Sequence, residues 1–117
     1  MKVKDIVKIL EGKVLSGEDK MEREVKFVGA ADMMSDVLAL SKPDMIILTG
    51  HTSLQAIRTA IVTDLLGLVF VRGKEIPEKT IEMAREANLL LIHTNTYMYA
   101  ACGKLYSAGL RGLDERR

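Results

Sequence analysis

Apolar positions change their spacing at Met45. Before it they recur in short amphipathic pieces. Ile6, Val7, Ile9 and Leu10 fall on or near one face, which predicts a helix over 4–10 with Gly12 as its stop. A small strand is expected over 13–15 and a polar turn over 16–20. Residues 23–28 alternate, with Val25 and Phe27 on one side, as a half-buried strand does. Asp32 is placed to cap a second helix in which Met34, Val37 and Leu38 lie at i, i+3 and i+4. Pro43 closes that helix, because the residue before a proline is pushed out of the helical region.

From Met45 onward three nearly continuous apolar runs appear, over 45–48, 66–71 and 89–92. Two helical patterns separate them, over 53–64 and 77–87. The first puts Leu54, Ile57, Ile61 and Leu65 on one stripe. The second has Pro77 at its first position, Ile81, Ala84 and Ala87 facing inward, and Asn88 to close it. A last helix over about 96–108 sets Met98, Ala101, Cys102 and Leu105 together. Strands without alternation, separated by amphipathic helices, mean parallel strands covered on both faces. The expected fold is therefore α/β. It is a single small domain over 1–117, an open and mainly parallel sheet with Rossmann-like right-handed crossovers and helices on both faces. Gly109 and Gly112 make residues 109–117 a candidate for a frayed tail.

Composition narrows what such a domain does. With 117 residues the chain is one domain, large enough to bury a core but too small for a catalytic domain plus an appendage. Aromatic residues are 4% and Trp is absent, so the core must be aliphatic. A formal net charge of +1, with basic residues spread out and no interleaved aromatics, argues against nucleic acid as partner. The one cysteine, Cys102, excludes an internal disulfide and a multi-cysteine zinc site. No apolar run approaches the roughly 20 residues of a membrane span, so a cytoplasmic protein without a membrane partner is expected.

The candidate chemistry sits at the strand ends, where open parallel sheets bind ligands. The first apolar run stops at Thr49-Gly50-His51-Thr52-Ser53, the second at Arg72-Gly73-Lys74, and the third at His93-Thr94-Asn95-Thr96. All three ends should share one edge of the sheet. Helix N-termini expected at Ser53 and near Thr96 would offer unpaired N–H groups and partial positive charge. Thr49, Gly50, His51, Thr52, Ser53, Arg72, Gly73, His93, Asn95 and Thr96 are accordingly the candidate residues for a small anionic or amide-bearing ligand. A plainer role stands beside this one. The glycines suit tight turns, and Ser53 and Thr96 suit helix caps.

Catalytic and metal chemistry are poorly provided for. Two histidines without carboxylates or a nearby cysteine fall short of the three or four ligands zinc takes. His51 with Ser53 lacks an acid placed to orient the imidazole. No Gly-x-x-x-x-Gly-Lys-Ser/Thr loop is present to cradle a triphosphate. No cofactor, no metal and no enzymatic activity are expected.

The order and spacing of these elements resemble the DRTGG domain. The likeness runs through "VKDIVKILEGKVLSGEDK", "REVKFVGAADMMSDVLAL", "IILTGHTSLQAIRTA" and "GLVFVRGKEIPEKTIEMAREANLLLIHTNTYMYAA". Where the family has Gly-Asp-Arg after the first buried strand, this chain has Gly50-His51-Thr52. Where it has Thr-Gly-Gly after the next, the chain has Val71-Arg72-Gly73, and the late Asp-Thr pair is matched by Asn95-Thr96. Gly50, Gly73 and Thr96 are the identities, and Arg72 is the candidate to replace the family's arginine. The resemblance implies a regulatory or ligand-sensing module of the kind found beside CBS pairs in pyrophosphatases and within long phosphotransacetylases. It also implies pairing into a homodimer and work through a partner enzyme. A purely structural dimerisation module is the alternative. The domain resembles the N-terminal domain of HPr kinase/phosphorylase too, but without that enzyme's phosphate loop a kinase activity ranks last. Seven Met and a tail carrying Leu110 and Leu113 suit self-association, since they leave apolar surface to cover.

Overall fold

In the computed structural model, which describes residues 1–113, each apolar run becomes a strand whose side chains divide between two cores. β1 (Lys13–Ser16), β2 (Phe27–Ala30), β3 (Met45–Thr49), β4 (Gly67–Phe70) and β5 (Leu90–His93) form one sheet in the order β1-β5-β4-β3-β2. β2 to β5 are parallel in sequential order, and β1 joins β5 antiparallel. The mainly parallel α/β sheet read from the sequence is what forms.

Three helices link the parallel strands: α2 (Met34–Leu40), α3 (Leu54–Val62) and α4 (Glu78–Glu86). Right-handed crossovers between strands taken in order must all lie on one side of the sheet. They do: Val37, Ile57 and Ala84 pack in one cluster with Met45, Ile47, Leu68, Phe70 and Leu91. The alternate strand residues, Ile46, Leu48, Val69, Leu90 and Ile92, face the other side. There they meet Ile6 of α1 (Val3–Ile9) and Ala101 and Leu105 of α5 (Met98–Ser107). Strand residues of β3 to β5 are buried on both faces, which is why their sequence shows no alternation.

Local details depart from the expected pattern for identifiable reasons. The alternation over 23–28 does not mark a sheet strand along its length. Val25 is buried because its N–H bonds the Met1 carbonyl, and Arg23 accepts from Val3, so this segment docks on the start of α1. Ile61 and Leu38 are 44% and 53% exposed, and Ala87 is exposed too. Ala56 and Ala60 take the inward face of α3 instead, where a small side chain lets the helix approach the sheet. Asn88 closes α4 as expected: it holds φ 51, and the Leu89 N–H reaches back to Ala84.

After α5 the chain does not leave the domain. Leu110 enters the core below α5, Arg111 accepts the Val28 N–H at 3.1 Å, and Leu113 packs against the opposite core. This segment therefore straps the free edge of β2, where fraying had been expected from residue 109. The remainder of that expected tail, 114–117, lies outside the described residues. No helix among the described residues is long and apolar enough to cross a membrane.

Candidate functional site

The carboxyl ends of β2 to β5 lie on one edge, and a chain of hydrogen bonds ties them together. Between β4 and β5 the connections diverge, since the chain leaves β4 for α4 on one face and β5 for α5 on the other. Open α/β sheets keep their ligand crevice at such a divergence. Here the two loops are stitched across it: the Arg72 N–H donates to Thr96 O and the Gly73 N–H to Thr94 O, both at 2.9 Å. Gly73 holds φ 60, and a Cβ there would stand 2.5 Å from Asn95 Oδ1. Glycine avoids both the left-handed strain and that close approach.

Beside the stitched turn, Gly50 forms the floor of the edge. It is buried, and a Cβ on it would face Asp32 Oδ1 at 3.5 Å and the Nε and Nη2 of Arg72 at 3.6 and 3.7 Å. Lys74 Nζ donates to the Gly50 carbonyl at 2.8 Å. Asp32 Oδ1 accepts the Gly50 N–H at 2.7 Å and the Thr49 hydroxyl at 3.3 Å. Asp32 is therefore no helix cap: Met33 precedes α2, without any side-chain cap bond. Asp32, whose position suggests a helix cap, thus belongs to this edge, and so does Lys74, which the Arg72-Gly73-Lys74 run contains but the candidate residues do not.

Arg72 is exposed on a constrained backbone. Its backbone holds φ 69, a left-handed conformation uncommon for a residue with a Cβ. Among the described residues its guanidinium has neither hydrogen-bond nor ion-pair partner. Glu11 and Asp64 share a positive φ at the ends of α1 and α3, whereas Arg72 does so at the end of a strand.

The other candidates divide by availability. Thr49 is fully buried, and its hydroxyl is spent between Asp32 and the His51 N–H at 3.0 Å. Thr96 does not cap α5, which begins after Tyr97; its hydroxyl accepts from Thr94, and its N–H donates to the Thr94 hydroxyl at 3.1 Å. His93 Nε2 lies 3.1 Å from the Lys74 carbonyl and steadies the turn rather than the edge. Thr52 reaches the Glu75 carbonyl at 3.5 Å. Ser53 does precede α3, yet its hydroxyl makes no cap bond and meets His51 Nε2 at 2.6 Å instead. His51, Ser53, Arg72 and Asn95 are thus the side chains still open to a ligand.

That His51–Ser53 contact has the reach of a nucleophile and base, but no acid among the described residues completes it. Asp32 stands at the same edge with its Oδ1 committed to Gly50 and Thr49. No group of three or more metal-ligating side chains occurs among the described residues. Four of the best-formed cavities open elsewhere, so the expected crevice is not among them.

The family model of the DRTGG domain matches residues 5–107. A search of curated proteins finds no match. Among solved structures, the CBS and DRTGG domains of the regulatory region of Clostridium perfringens pyrophosphatase, complexed with the activator diadenosine tetraphosphate, superpose with a TM-score of 0.73 at 18% identity. The match covers 89% of this chain and 45% of that one, so the chain spans less than half of its neighbour. At that identity the likeness is one of fold.

Proposed function

The chain belongs to the DRTGG domain family, and from that membership we propose that it is a non-catalytic regulatory module that senses a small anionic metabolite or nucleotide at the Gly50–Arg72 edge. The observation that carries this reading is Arg72, held at φ 69 with an uncommitted guanidinium beside the bare backbone of Gly50. A planar, permanently charged fork suits phosphate or carboxylate oxygens. The N-terminus of α3 at Ser53 adds backbone donors and partial positive charge, and His51 and Asn95 add polar contacts. That the neighbouring regulatory region is complexed with a dinucleotide activator supports the same ligand class here. On this reading the domain is cytoplasmic and acts through a partner enzyme.

Self-association belongs to the same proposal. Tyr97, Tyr99 and Tyr106 of the α5 region are 66%, 92% and 52% exposed, an unusual display for a chain with so few aromatics. Homodimerisation through that face would cover them. A structural dimerisation module without a ligand is the second reading, and this same surface favours it.

A thermal-shift panel of nucleotides and phosphorylated metabolites separates the two. A ligand that binds only the folded chain raises Tm by mass action. Arg72→Ala should abolish that shift by weakening binding about 1.5–3 kcal/mol, as for a lost hydrogen bond to a charged group. A flat response across the panel, with a dimer mass by light scattering, would leave the structural module as the better reading.

A further inference from the structure

Towards their carboxyl-terminal ends, α3 and α4 are separated by an open groove of about 480 Å³. Arg58, Ile61 and Val62 line it from α3, and Met83, Glu86 and Ala87 from α4 and its cap. Ala56, Ile57 and Ala60 already fill the inward face of α3, which leaves Ile61 and Val62 no place in the core. Helix propensity does not account for them either, because β-branched residues are weaker helix formers than the Ala, Glu or Lys of solvated positions. Contiguous apolar surface marks an interaction site where single exposed residues do not. The rim carries one charge of each sign, Arg58 and Glu86. Among the described residues neither has an ion-pair or hydrogen-bond partner.

We propose that this groove is an interface with a second copy of the chain, related by a two-fold axis. A two-fold contact sets one patch against itself, so the patch must hold both members of each complementary pair. This one does. It has a ridge in Val62, 78% exposed, and a groove lined by Ile61, Met83 and Ala87. It also has a cation and an anion, both uncommitted. The two-fold exchange seats Val62 of each copy in the other's groove and turns each Arg58 towards the other copy's Glu86. Met83 suits that seat, since an unbranched thioether adapts to what covers it. A partner with a face of single charge would leave one of the two rim charges unmet. The apolar seat supplies the affinity, and the charge pairs select the partner and its register. α3 and α4 cover the side of the sheet opposite α5, so this contact is separate from the tyrosine-bearing face. Used together, the two faces carry assembly past the dimer.

The test is sedimentation of the whole chain at about 0.15 M salt, where loose surface pairing is screened. Arg58→Glu makes the rim wholly acidic, and Glu86→Arg makes it wholly basic. Both residues are exposed and unbonded, so both variants should fold. Each variant alone should self-associate about tenfold more weakly than the native chain, since like charges then face each other twice. An equimolar mixture of the two should regain the native association, because every contact across the interface again joins opposite charges. Tyr99→Ser, on the other face, should leave this pattern in place. A native chain that stays monomeric, single variants that associate as the native chain does, or a mixture no tighter than its components would each overturn the proposal. Association abolished by Tyr99→Ser and indifferent to the charge variants would place the pairing on α5 and overturn it as well.

Discussion

Asp32 Oδ1 accepts the backbone N–H of Gly50 at 2.7 Å, joining the loop after β2 to the end of β3 across 18 positions of sequence. The bond matters because Gly50 is buried and a buried N–H without a partner is costly. Asp32→Ala should therefore destabilise the fold by about 1–3 kcal/mol, the desolvation cost of an orphaned donor. Asp32→Asn keeps an acceptor oxygen and should recover most of that loss. Urea denaturation of the two variants decides the matter. Equal midpoints for Asp32→Ala and the native chain would show that the contact is incidental.

Arg72 offers a separation of stability from function. A left-handed backbone costs an L-residue about 1–2 kcal/mol, whereas glycine is at ease there but loses about 0.5–1 kcal/mol through its freer unfolded state. Arg72→Gly should thus stabilise by roughly 0.5–1 kcal/mol while removing the charge proposed to hold the ligand. Arg72→Ala keeps the strain and should leave stability within about 0.5 kcal/mol. Should glycine destabilise the protein, the arginine side chain must contribute packing that offsets its backbone.

The fold was far more legible than the site, and the reason is physical. Runs such as 45–48 are buried on both faces whatever their neighbours, so local composition carries the parallel sheet. The antiparallel placing of β1 and the strap of residues 110–113 depend on which edges the finished sheet leaves open. Nothing near Lys13 or Arg111 encodes that. At the site, Thr49, Gly50 and Arg72 were visible because a strand end is visible. Asp32 was misassigned because an acidic residue just before a helical pattern satisfies the rule for a cap equally well. Only the pairing of β2 with β3 carries its carboxylate to Gly50. The polarity of Asp32 was the available signal, and it pointed to two uses.

A side chain at Gly73 should destabilise the turn. Gly73→Ala meets left-handed strain of about 1–2 kcal/mol together with a collision at Asn95 Oδ1. The two costs can be parted by a double-mutant cycle with Asn95→Gly, which removes the colliding amide and leaves the strain. The cycle should return a coupling of about 1 kcal/mol. A coupling of zero, read from denaturant midpoints, would mean the turn relaxes away from Asn95 at no cost.

The segment after α5 yields a contrast between a strap and a tail. Leu110 is 4% exposed, within the core formed by α1 and α5. Leu110→Ala should therefore cost about 2–4 kcal/mol, as for other buried leucines, where a solvated tail would register almost nothing. Amide exchange should agree. The Val28 N–H, bonded to Arg111 O, should be protected in the native chain and exchange faster in the variant. An unprotected Val28 amide in the native chain would show that the edge of β2 is open in solution.

Cys102 supplies the pH-dependent prediction. Burial raises its thiol above the ordinary value of 9.0, because the thiolate is penalised where water is partly excluded. The folded state therefore prefers the protonated thiol. The stability tied to that preference is complete below the unfolded pKa and declines as pH rises past it towards the folded value. Reactivity runs the opposite way, since the thiolate is the nucleophile. At neutral pH, iodoacetamide should label Cys102 in the folded chain more slowly than in the urea-unfolded chain. The alkylation rate of the folded protein should keep rising at pH values where the unfolded chain has already levelled off. Labelling that is faster in the folded state, or that levels at lower pH, would show that the α5 environment favours the thiolate and would reverse the sign of the argument.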